Sequence, residues 1–158
     1  MPRVVRRRRI AAPAAALWSV ISDPYHLPRW WPRTTRVENV TGTDPEGRRW
    51  TQVLETRDGR GIRADYRCVS AARERRYAFE QLLEGTPFEG ILRSASTEIM
   101  LEAADAETEV TVVSEQRLKG LSRLGSLMMR RATGRTLSEA LRGLERAAGD
   151  GGPAEGTS

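Results

Sequence analysis

Tyr66 and Arg93 are the side chains of this 158-residue sequence best suited to acid–base work. Each falls on the apolar-facing side of an alternating segment, "IRADYRCVS" (62–70) and "ILRSASTEIMLEA" (91–103). A tyrosine hydroxyl placed there can serve as an acid or hydrogen-bond donor, and a buried arginine can stabilise an enolate. The same pair also reads as a packed ring and a guanidinium that reaches solvent. His26 is the one histidine, and no second group stands beside it by spacing, so a surface or capping role is expected. Cys68, the one cysteine, reads as an inert core thiol. A single copy of each excludes an internal disulfide and the usual zinc constellations. There is no Walker loop, no GxSxG elbow, no dinucleotide fingerprint and no metal spacing. No cofactor is expected. An enzyme built from these groups would move protons on, dehydrate or cyclise a bound apolar substrate unaided.

Charge and composition narrow the partners. Lys and Arg total 26 against 21 Asp and Glu, a net charge of +5, and Lys119 is the one lysine. Arginine suits phosphate and carboxylate, but acids are interleaved through stretches such as "RTTRVENV", so a solvated mixed-charge surface and no specific nucleic-acid partner are expected. A hydrophobic fraction of 39% with 30% charged residues is that of a globular domain. No apolar run approaches the length that spans a bilayer.

The elements that must position these groups begin with "VVRRRRIAAPAAALWSVISDP" (4–24), which has the look of an export signal. Its small residues precede the apolar stretch, no A-x-A follows it, and Ala14, Leu17, Val20 and Ile21 form a helical stripe. Pro13 suits a first turn and Asp23-Pro24 a stop. The segment therefore reads as strand 3–10 and helix 13–22 of a cytoplasmic chain that keeps its N-terminus. Four arginines on that strand suit a sheet edge. Strands follow at 35–41, 48–56, 62–70, 76–84, 91–103 and 110–118, joined by short turns, which makes an antiparallel meander. Glu80, Glu98 and Glu102 alternate outward. A long helix over 121–148 has Leu121, Leu124, Met128, Leu137, Ala140, Leu141 and Leu144 at helical intervals, with a kink or restart expected near Gly134 and the Thr136…Glu139 capping spacing. Its apolar stripe would lie across the sheet. Residues 1–148 form one domain in this reading, and the Gly-rich 149–158 a disordered tail.

"IAAPAAALWSVISDPYHLPRWWP" and "LKGLSRLGSLMMRRATGRTLSEALRGLERA" resemble the opening and closing of the SRPBCC, or START-like, superfamily, in its polyketide cyclase/dehydrase-like branch. The "RWWP" stretch also resembles the heat-shock-ATPase activator branch. The resemblance implies an α+β helix-grip fold, START/Bet v 1-like: a curved antiparallel sheet of about seven strands around a long C-terminal helix, with two short helices after the first strand. It also implies an apolar cavity between sheet and helix.

The residues supply a candidate lining. Gln52, Leu54, Ile62, Ala64 and Tyr66 share one face of the third and fourth strands, and Tyr77, Phe79 and Gln81 continue it. Arg93, Ala95 and Thr97 follow on the next strand, with Ser114 and Gln116 on the last. This is the composition of a small-molecule pocket and equally of a core with a few satisfied polar groups. Trp30 and Trp31 sit where one packs the short helix and the other guards the opening. Leu124 and Met128 are the helix residues expected at the cavity. The expected function is binding of a small hydrophobic molecule, lipid- or polyketide-like, by a monomer or homodimer. The alternatives are a cofactor-independent cyclase, aromatase or dehydratase using Tyr66 and Arg93, and a protein-interaction module with a collapsed cavity.

Overall fold

The computed structural model describes residues 3–56, 58–120 and 123–157. Strand β1 (Arg3–Ile10) leads into α1 (Ala14–Ile21), a 3-10 turn (Pro24–His26) and α2 (Leu27–Trp30). The meander follows as β2 (Thr34–Thr41), β3 (Arg49–Glu55), β4 (Gly61–Ala72), β5 (Arg76–Leu82), β6 (Leu92–Ala104) and β7 (Glu107–Leu118), and α3 (Arg123–Thr157) closes the chain. The sheet order is β1-β7-β6-β5-β4-β3-β2 with every pair antiparallel, so β1 and β2 are the edges. This is the expected helix-grip architecture.

Local chemistry accounts for the joints. Pro13, extended at φ −70°, caps α1, and the Asp23 carboxylate accepts the Tyr25 amide at 3.0 Å to start the 3-10 turn. Asp105, at φ +57°, turns the β6–β7 hairpin in two residues.

Helix α3 buries Leu137, Ala140, Leu141 and Leu144 in one core with Leu17 of α1, Ile10 of β1, Ile99 of β6 and Val110 and Val112 of β7. Two glycines set how closely α3 is approached. At Gly143 a Cβ would overlap the Trp30 carbonyl, so α2 rests directly on bare helix backbone. At Gly134 a Cβ would overlap the Arg6 guanidinium reaching over from β1. The β1 arginines thus do more than protect an edge: Arg6 lies against Gly134, and Arg8 pairs with Glu145 at 2.8 Å.

The restart expected at Gly134 is absent: α3 is one continuous helix through it. The expected tail, 149–158, lies from residue 150 onward outside the residues whose side chains are described, and the helical backbone is assigned to Thr157. No helix among the described residues is long and apolar enough to cross a membrane.

Candidate functional site

A cavity of about 280 Å3 lies between the sheet and α3. Its floor is a belt of inward positions carried across the strands by their register. Tyr66 on β4 pairs with Gln81 on β5, Phe79 with Thr97 on β6, and Thr97 and Ala95 with Ser114 and Gln116 on β7. Gln52 extends the belt onto β3, Trp31 closes one end, and Met129, Ala132, Thr133, Thr136 and Leu137 form the α3 wall.

Polar groups in this wall are held in defined orientations. Gln52, 1% exposed, accepts the Trp50 indole N–H at 3.2 Å and donates to Thr34 Oγ1 at 3.1 Å. Thr133 donates to Gln116 Oε1 at 3.4 Å across the sheet–helix gap. Two groups remain open: Gln81 Nε2 is buried without a partner among the described residues, and the Tyr66 hydroxyl makes no hydrogen bond among them. An unpaired buried amide costs roughly 1–3 kcal/mol, so Gln81 is poised to donate to whatever fills the cavity. Tyr66 stacks on Trp50 with ring centroids 5.9 Å apart and meets Phe79 edge-on at 5.7 Å. Burial, and secondarily the charge of Asp65, push its phenol up to about 12, so it stays protonated and can only donate or accept a hydrogen bond at neutral pH. Among the described residues no charged side chain lines the cavity.

Nine of the expected site residues come together here: Trp31, Gln52, Tyr66, Phe79, Gln81, Ala95, Thr97, Ser114 and Gln116. The others do not. Arg93 is exposed, because a register irregularity between Leu92 and Ser94 breaks the alternation that would have turned it inward. Leu92 takes the buried position instead. Leu54 and Ile62 face each other one inward step nearer the β3–β4 hairpin end, where Ile62 is exposed. Ala64 is buried beside Gln52 but is too short to reach the lining. Tyr77 is buried in the core against Trp18 of α1, at 6.0 Å, with burial and the adjacent Cys68 raising its phenol well above the ordinary range. Trp30 packs the core and only Trp31, edge-on to it at 5.3 Å, reaches the cavity.

Leu124 and Met128, 67% and 63% exposed, fail for a different reason. Met128 lies nine residues before Leu137, about two and a half turns, so an unbroken helix puts the two on opposite faces. Met129, Ala132, Thr133 and Thr136 were missed with them, although in a continuous helix Thr133 lies in phase with Leu137, Ala140 and Leu144, and Met129 and Thr136 flank that face. Ser96 was missed as an outward position by alternation.

His26 is at the surface, with Nδ1 3.1 Å from an Arg29 guanidinium nitrogen, and does not line the cavity. Cys68 is buried, its thiol raised by desolvation. Glu80 and Glu98 pair outward with Arg67 and Arg76. Among the described residues no group of His, Cys, Asp or Glu is arranged to hold a metal ion.

The family profile described as polyketide cyclase / dehydrase and lipid transport matches residues 1–149. No curated protein is similar enough to the sequence to match it. Several solved structures share the fold. A Thermus thermophilus protein is 17% identical, with TM-score 0.75, covering 96% of this chain and 99% of its own. A START superfamily protein from Mycobacterium smegmatis is 16% identical, with TM-score 0.75, covering 94% and 97%. The di-domain ARO/CYC BexL of the BE-7585A biosynthetic pathway is 21% identical, with TM-score 0.74, over 93% of this chain and 46% of that one.

Proposed function

The chain belongs to the polyketide cyclase / dehydrase and lipid transport family of START-like proteins, and on that premise we propose that it binds a small, uncharged, ring-bearing molecule with carbonyl or hydroxyl substituents. The observation that carries this reading is the character of the wall: aromatic and aliphatic surface, amides and hydroxyls, and no charge among the described residues. Trp31, Tyr66 and Phe79 supply flat apolar surface for a ring system. Gln81 Nε2 and the Tyr66 hydroxyl supply donors for its oxygens. The volume, about 280 Å3, is near the lower end of small-molecule sites, which run from ~300 to 1,000 Å3. A compact ligand fits this better than a long acyl chain.

A catalytic reading has one specific support, the protonated Tyr66 phenol facing the cavity, which suits proton donation to a substrate carbonyl. Enolisation also needs a base, and among the described residues the wall has no carboxylate, histidine or amine to act as one. Binding is therefore the function preferred.

Isothermal titration with 2-naphthol and with 2-naphthoate tests the reading. The ring system is the same, but the carboxylate would enter an uncharged wall without a cationic partner. The neutral compound is expected to bind at least tenfold more tightly. Equal affinity, or preference for the carboxylate, refutes the proposed ligand class.

A further inference from the structure

Several guanidinium groups on the outer surface of the sheet are matched to carboxylates: Arg3 to Glu115, Arg63 to Glu38, Arg67 to Glu80 and Arg76 to Glu98. One groove departs from that pattern. It runs along the solvent side of α3 beside β1, has a volume of about 470 Å3, and is walled by Arg6, Arg131, Arg135 and Arg142 together with Ser138 and Glu139. Among the described residues none of these four arginines has an ion-pair partner.

Helical spacing gathers three of them. Arg131, Arg135, Ser138, Glu139 and Arg142 stand at i, i+4, i+7, i+8 and i+11, on the side of α3 turned away from buried Leu137. The fourth arrives from the sheet. Because Gly134 has no Cβ, the Arg6 side chain lies against the helix, with Nη1 donating to the Val5 carbonyl at 2.8 Å. Beyond Arg142 the groove continues into a second hollow of about 430 Å3, which shares Arg142 and Glu139 and adds Arg29, Arg33 and Arg146. Among the described residues, seven arginines thus face one glutamate across two joined lobes.

Like charges crowded this way repel and destabilise the fold. An anion that engages several of them relieves the repulsion, and a guanidinium fork matches phosphate oxygens two at a time. The lobes share Arg142 and set guanidiniums on both sides of it, and a diphosphate presents more charge and more oxygens to such a cluster than a single phosphate does. We propose that this groove is a second binding site, separate from the cavity, for a diphosphate group carried by a soluble ester or a lipid headgroup. The groove shares only Trp31 with the cavity lining, so the two sites can be tested apart.

The test is isothermal titration of the full chain with sodium pyrophosphate at low ionic strength, where exposed charges are least screened. One site is expected, with inorganic phosphate binding about tenfold more weakly. Loss of a charge-assisted hydrogen bond makes Arg135→Gln and Arg142→Gln each about tenfold weaker. Glu139→Gln, which removes the one opposing carboxylate, should bind more tightly. Arg60→Gln, in the β3–β4 hairpin, should bind like the parent chain. Circular dichroism of each variant confirms that it is folded. Vesicles carrying a prenyl diphosphate separate the two sources: capture that pyrophosphate competes away assigns a headgroup, and pyrophosphate binding without capture assigns a soluble ester. Absence of pyrophosphate binding, affinity unchanged in Arg135→Gln and Arg142→Gln, an equal loss in Arg60→Gln, or phosphate binding as tightly as pyrophosphate overturns the proposal.

Discussion

Replacing Gly143 or Gly134 by alanine makes the same chemical change twice on one helix, and the structure predicts opposite signs. Each substitution gains about 1 kcal/mol of helix propensity. At Gly143 the added methyl meets main chain: the Trp30 carbonyl oxygen, and the Trp30 C and Cα atoms at 3.0 Å. Backbone at the end of α2 cannot swing aside, so α2 must move off α3. Overpacking of this kind costs about 1–3 kcal/mol, and the rigid obstacle argues for the upper half of that range. Gly143→Ala is therefore expected to lose about 1–2 kcal/mol net. At Gly134 the obstacle is the tip of Arg6, an exposed and flexible side chain. It can rotate away, leaving a net gain of about 0.5–1 kcal/mol. The variants should differ by about 1.5–3 kcal/mol, which for a chain of this length is roughly 3–12 °C in Tm. Urea unfolding monitored by far-UV circular dichroism measures both. Because Trp31 follows Trp30 and walls the cavity, Gly143→Ala should also weaken naphthol binding, whereas Gly134→Ala should not. A Gly143→Ala variant as stable as Gly134→Ala would refute the close-approach argument.

Two further outcomes follow from the cavity wall. Gln81→Met removes a buried unpaired amide, so the ligand-free chain should be as stable as the parent or up to about 1 kcal/mol more stable, while affinity for a neutral naphthol falls about tenfold; Arg93→Gln should leave that affinity unchanged, and a loss there equal to that in Gln81→Met would contradict the register described for β6. The Tyr66 phenol is raised in the folded chain from the usual 10.0 to about 12, so the folded state holds this proton more tightly than the unfolded one. Its contribution to stability is complete below about pH 10 and is lost as pH rises towards 12. Urea midpoints between pH 8 and 11.5 should fall more steeply for the parent than for Tyr66→Phe, and parallel curves would show that the phenol is not desolvated.

Much of this architecture is written locally. Alternation of apolar and polar residues marks each of the strands β2 to β7, Pro13 and Pro24 bound the first helix, and "APxxxLW" with "DPxxLPxWWP" carries the family likeness. These signals depend on neighbours a few residues away, because side-chain period and turn conformation are properties of short segments. The inward face of β4 and β5 could therefore be read directly, and it delivers Tyr66, Phe79 and Gln81 to the cavity.

Tertiary structure decided the rest, through phase and register. Whether α3 presents Met128 or Met129 to the sheet depends on whether the helix is broken at Gly134, and that glycine is there to admit Arg6, a residue 128 positions away in sequence. Whether Arg93 points in or out depends on one irregularity in the β6–β7 ladder. The choice between Trp30 and Trp31 rests on the contact of α2 with Gly143. The sequence by itself determined which segments are strands and helices and which strand faces are apolar. Only packing between distant segments selected the rotation of each element about its axis, and that rotation decides which side chains meet in the cavity.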